Sequence, residues 1–179
     1  GVLWTGFTTD WYRALFENRA IADALCEADP AHAETYRANA NAYITQLAEL
    51  DALNADMVRH AARTAILFAD RFPFRYLADD YGLTYYAAFA SCSAETEASF
   101  KTIAFLAKKV DELNLPAVLA IEGGNHAIAE TVVASTQAKN QVILSMNSLQ
   151  SMTEADVQRG ESYLSVMTQN LAILTQALN

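Results

Sequence analysis

Residues 64–89 read TAILFADRFPFRYLADDYGLTYYAAF. An apolar run of strand length, Thr64–Ala69, breaks on Asp70-Arg71 and passes into an aromatic helical stretch, about Phe72–Tyr81. Gly82 ends that stretch, and a second apolar run follows, Leu83–Phe89. Short apolar runs that alternate with helical stretches read as strands of a parallel sheet. The break at Asp70-Arg71 has two readings. Asp70 could cap the helix that follows, or it could stand at a ligand site, since open α/β sheets bind beyond the carboxyl ends of their strands.

Outward from this unit the alternation continues. Ala117–Ile121 and Gln141–Ser145 are two further apolar runs, and helical stretches cover about Ala98–Asn114, His126–Thr136 and Ala155–Leu178. Asn114-Leu115-Pro116 marks a turn, and Thr153-x-x-Asp156 reads as a capping box for the last helix. Upstream, helical spacing runs from about Thr9 to Glu27, and Asp29-Pro30 signals a stop and a new start. From there Tyr36, Tyr43, Leu50 and Met57 recur every seven residues, with Ala40 and Leu47 between them, to about Arg59. That narrow stripe suits one long helix laid along a domain. The expected fold is α/β: two N-terminal helices, the second long, then a four-stranded parallel sheet with helices on both faces, a single Rossmann-like lobe.

The bulk numbers limit the function. With 53% hydrophobic and 18% charged residues in 179, the chain is globular. A net charge of −9 repels phosphate backbones, which argues against nucleic acid and makes a cation the more natural partner. Cys26 and Cys92 form no C-x-x-C pair and read as buried free thiols. No apolar run is long enough to span a bilayer, and the first residues lack the pattern of a signal peptide.

Four loops follow the four strands, and three of them carry carboxylates. Asp70 follows the first, with Arg71 beside it. Glu95 and Glu97 follow the second, Glu122 the third, and Asn147 and Ser148 the fourth. Oxygen donors that converge from separate loops suit a divalent cation. Glu95 and Glu97 also precede a helix start, where the dipole favours them without a ligand. Arg71 and Arg75 could neutralise these groups, and His126 could ligate but reads more readily as a cap or surface residue. No nucleophile elbow, H-E-x-x-H motif or phosphate-binding loop is present.

Four phrases together are similar to the solute-binding proteins of zinc- and manganese-uptake ABC transporters: DALCEADPAHAETYRANANAYITQLAELDA (23–52), FADRFPFRYLADDYGLTYYAAF (68–89), CSAETEASFKTIAFLAKKV (92–110) and GESYLSVMTQNLAILTQAL (160–178). The resemblance implies two α/β lobes joined by a long rigid helix, with metal held between them. It assigns residues 1–29 to a remnant helix of the N-terminal lobe, 30–62 to the linking helix and 63–179 to the C-terminal lobe. It implies a binding protein rather than an enzyme, with an ABC permease as partner and an extracytoplasmic location kept by a lipid anchor outside this chain. The family's two C-terminal metal positions fall at Arg71 and Asn147, both departures from its pattern. The expected donors are therefore Asp70, Glu122 and Asn147, with Arg71, Glu95 and Glu97 lining the cleft. The expected ion is zinc or manganese, bound weakly or only with a second lobe. Two rivals stand beside this reading: a homo-oligomer formed through apolar surface such as Trp4, Phe7 and Trp11, and a metal-assisted hydrolase using Asp70, Glu95 and Glu122.

Overall fold

The computed structural model describes residues 11–89, 98–124 and 126–179, with side chains from residue 18 onward. The segment holding Trp4 and Phe7, the loop with Cys92, Glu95 and Glu97, and the Trp11 side chain lie outside the described part. Helix α1 (Trp11–Ala28) reaches a turn at Pro30–His32 and doubles back as α2 (Ala33–His60). The α/β part follows as β1 (Ala65–Arg71), α3 (Arg75–Asp80), β2 (Thr84–Phe89), α4 (Phe100–Leu113), β3 (Ala117–Ile121), α5 (Ala127–Ser135), β4 (Val142–Met146), α6 (Glu154–Gln158) and α7 (Tyr163–Leu178). This is the expected α/β lobe with its long leading helix. Among the described residues no helix is long and apolar enough to cross a membrane.

The four strands pair in parallel in the order β2-β1-β3-β4. Alternating side chains divide the core in two. Ile66, Phe68, Leu119, Ile121 and Met146 face α2, α3 and α7, whereas Leu67, Ala69 and Val118 face α4 and α5. Helices therefore cover both faces, which is why the strands are nearly continuous apolar runs. The chain leaves β1 toward β2 on one side and runs from β3 to β4 on the other. The order reverses between β1 and β3, the point at which open α/β sheets bind ligands beyond the carboxyl ends of their strands.

On α2, Leu47, Leu50 and Asn54 are buried, with Tyr43, Met57 and Val58 partly covered by the same core. From Tyr43 onward α2 thus packs on the sheet layers, and it also pairs with α1, which buries Ala22 and Cys26. Cys26 is a buried free thiol. Tyr81 donates its hydroxyl to Asp51 Oδ1 at 2.7 Å and so fastens α2 to the turn before β2.

Two local expectations need correction. Asp70 does not cap α3: that helix begins at Arg75 after Phe74, without a side-chain cap, because β1 runs on through Arg71. The last helix is not continuous either. Gly160 takes a left-handed φ of 88°, Glu161 N–H closes onto Asp156 O, and Ser162 starts α7 with its own capping box. The Thr153–Asp156 capping box does form, but on the short α6.

Candidate functional site

Asp70 lies near the carboxyl end of β1 and Glu122 just after that of β3, where the strand order reverses. The β1–β2 register slips between Phe68 and Arg71, which pair with Ala87 and Phe89, so β1 carries one extra residue. Such a bulge re-aims the side chains within it. Asp70 lies in this bulge and turns across to the neighbouring strand. Its Oδ1 accepts Arg71 N–H at 2.7 Å, and its Oδ2 accepts Ile121 N–H at 3.3 Å. The carboxylate is half-buried and bridges β1 to β3. Arg71 stands beside it with Nε 4.0 Å from Oδ1 and 39% of its side chain exposed, so the pair is weak. Arg75 pairs instead with Asp79 on its own helix.

Glu122 is more fully engaged. Its Oε2 accepts Ser148 N–H at 2.8 Å, and its Oε1 accepts Ser148 Oγ–H at 2.7 Å and Ser151 Oγ–H at 3.0 Å. Its own N–H donates to Met146 O. The side chain therefore organises the β4–α6 loop. Asn147 uses its Oδ1 to accept Leu149 N–H at 2.8 Å, a local turn of the kind asparagine favours. Sequence reasoning missed Asn170. This α7 residue is 2% exposed; it accepts Asn147 N–H at 2.9 Å and donates to Asn147 O at 2.8 Å. A polar residue at a core position of a final amphipathic helix was the available signal.

His126 belongs to the same neighbourhood. It precedes α5 in a left-handed conformation, φ 53°, without making a side-chain cap, and its Nε2 lies 3.0 Å from Ser145 Oγ. Gly124 separates it from Asp70. A Cβ there would stand 3.5 Å from Asp70 Oδ2 and 3.8 Å from the His126 Cδ2 atom. The site thus gathers Asp70, Glu122, His126 and Asn147 along one edge. Asp70 is the carboxylate with coordinating capacity left over, Glu122 the one most occupied by its own loop. Among the described residues no three His, Cys, Asp or Glu side chains are grouped to hold a metal ion.

The fold recurs in proteins of known name. The zinc-binding lipoprotein AdcA of Streptococcus pneumoniae is 34% identical over 156 residues, which cover 87% of this chain and 30% of that protein. The solved Zn(II)-bound ZnuA-like domain of the same AdcA superposes with a TM-score of 0.74 at 32% identity, covering 94% of this chain and 61% of that one. The metal-dependent lipoprotein YcdH of Bacillus subtilis superposes with a TM-score of 0.80 at 25% identity, over 94% of this chain and 62% of its own. The chain therefore spans less than two thirds of each of these proteins. The family described as "ZnuA: Zinc-uptake complex component A periplasmic" matches residues 10–177, nearly the whole sequence, and the chain belongs to that family.

Proposed function

We propose that this chain is the C-terminal lobe and linking helix of a metal-ion solute-binding protein of an ABC transporter. It takes zinc or manganese at the crevice between β1 and β3, together with donors from a lobe outside this sequence. The observation that carries the reading is Asp70. A half-buried carboxylate is aimed by a strand bulge across the point where ligands of open α/β sheets bind, and it retains lone pairs beyond its two backbone bonds. Residues 1–29 are a remnant of the first lobe, 30–62 the linking helix and 63–179 the second lobe. The binding role is supported by the chain's family, whose relatives are named as zinc-binding proteins. The whole protein works outside the cytoplasm, held by a lipid anchor beyond this chain and docking on an ABC permease.

A site of this kind needs about four donors for zinc. The chain supplies too few, and Arg71 places a positive charge against the cation. Binding of Zn²⁺ by the chain alone is therefore weak, with a Kd of about 1 μM or above. Calorimetric titration with Zn²⁺ tests this, and Asp70→Asn removes the negative charge and weakens binding at least ~10-fold. Sub-micromolar affinity in the unmodified chain, or an isotherm unchanged by Asp70→Asn, contradicts the reading.

A second property has its own observation. Ile21 and Leu25 lie one helical turn apart on α1 and are 59% and 43% exposed. Apolar side chains in this pattern favour association, so the chain forms a homodimer through α1.

A further inference from the structure

We propose that this lobe takes its cation as a chelate: Asp70 meets the metal, and Arg71 meets a free carboxylate of a small polycarboxylate bound to it. This deepens the solute-binding reading and rests on it. The observation behind it is a pair of opposite charges held side by side at the end of β1 without a direct hydrogen bond. Arg71 approaches Asp70 Oδ1 through Nε at 4.0 Å, which is beyond hydrogen-bond length.

The backbone keeps the pair apart. Asp70 turns both oxygens to N–H groups, Oδ1 to that of Arg71 and Oδ2 to that of Ile121. The carboxylate thus faces the main chain, and the fork of Arg71 does not close on it. The Arg71 side chain is 39% exposed, against 21% for Asp70. The other arginines of residues 63–179 are engaged away from the strand ends that bind ligands. Arg63 donates to Asn114 O at 2.8 Å and to Asn179 O at 3.0 Å. Arg159 donates to Asp156, and Arg75 pairs with Asp79 along its own helix.

An arginine in this place opposes a bare cation at Asp70, because like charges a few ångströms apart repel. A chelate removes the conflict. Zinc carried by a tricarboxylate has a net negative charge, so its metal side suits Asp70 and an unliganded carboxylate suits the guanidinium. The planar fork of arginine fits a carboxylate through two parallel hydrogen bonds. The chelator also fills coordination positions that this chain leaves open, since zinc takes about four donors. Arg71 is then the residue that sets specificity, by selecting the anionic part of the cargo.

Equilibrium dialysis with ⁶⁵Zn²⁺ and ¹⁴C-citrate counts metal and chelator together. The unmodified chain is expected to retain citrate only when zinc is present, one for one. At a fixed free zinc concentration, added citrate raises zinc affinity at least ~5-fold. Arg71→Gln keeps zinc but loses citrate, and Arg71→Lys, which keeps the charge without the fork, holds citrate at least ~3-fold less tightly. Asp70→Asn loses both. Zinc retained without citrate in the unmodified chain, or citrate retained undiminished by Arg71→Gln, overturns the chelate and leaves the solute-binding reading intact. Citrate retained without zinc also overturns it, and makes Arg71 the site of a bare anion. Zinc retained neither with citrate nor without it overturns both readings. Should Arg71→Gln fail to fold, Arg71→Lys and the zinc dependence of citrate retention in the unmodified chain still decide.

Discussion

Glu122 and Asn170 hold the β4–α6 loop from opposite sides, one by its carboxylate and one by its buried amide. Glu122→Gln leaves a single accepting oxygen for three donors and removes their charge assistance. The expected loss is about 1–2 kcal/mol of stability, read from the urea midpoint. A variant with an unchanged midpoint would mean that these hydrogen bonds have no net worth. Asp70 and Glu122 were legible in the sequence because a carboxylate directly after an apolar run is placed by the strand itself. What each carboxylate does there was not legible. Asp70 turns toward β3 only because of a bulge, and no turn residue announces one in FADRF. His126 was set aside for a similar reason: its partner Ser145 is 19 residues away, and only the parallel pairing of β3 with β4 brings them together.

At the scale of elements, the joint between α2 and the lobe rests on Tyr81 and Asp51. Burial first, and the hydrogen bond to Asp51 second, push the Tyr81 hydroxyl well above the usual tyrosine range. A group whose pKa is raised by folding contributes stability that is complete below its unfolded pKa, about 10, and is lost as pH rises beyond it. The joint therefore loosens in strong alkali. Tyr81→Phe weakens it by about 1 kcal/mol at neutral pH and removes this part of the alkaline dependence. Hydrogen exchange across residues 47–57 of α2, measured at pH 8 and pH 10.5, reads both effects; protection equal to that of the unmodified chain would contradict them. The helix–strand alternation was readable from apolar runs and their punctuation, and β3 falls on the expected residues, Ala117–Ile121. The split of the last helix was missed because Tyr163, Met167, Leu171 and Leu174 keep helical spacing and mask the stop at Gly160. Ser162-x-x-Ser165 repeats the capping logic of Thr153-x-x-Asp156 and marks the restart.

For the whole molecule, a net charge of −9 opposes association while the apolar pair on α1 favours it. Salt screens the first and leaves the second, so the proposed dimerisation is expected to strengthen with ionic strength. Sedimentation velocity at low and high salt reads this, and Ile21→Asp with Leu25→Asp returns the chain to monomer. A monomer in both buffers would remove α1 as the contact. The half-buried stripe of α2 belongs to the same scale: from Tyr43 onward it is covered by the lobe, and α1 also packs along the helix, a division the seven-residue repeat did not reveal.

The central claim is that a divalent cation meets this lobe at the crevice between β1 and β3. Crystals of the chain soaked in zinc chloride, with anomalous differences collected at the zinc edge, test it most directly. A peak beside Asp70 is the expected result. A peak only at surface groups such as Asp29 and His32, with none at the crevice, would contradict it.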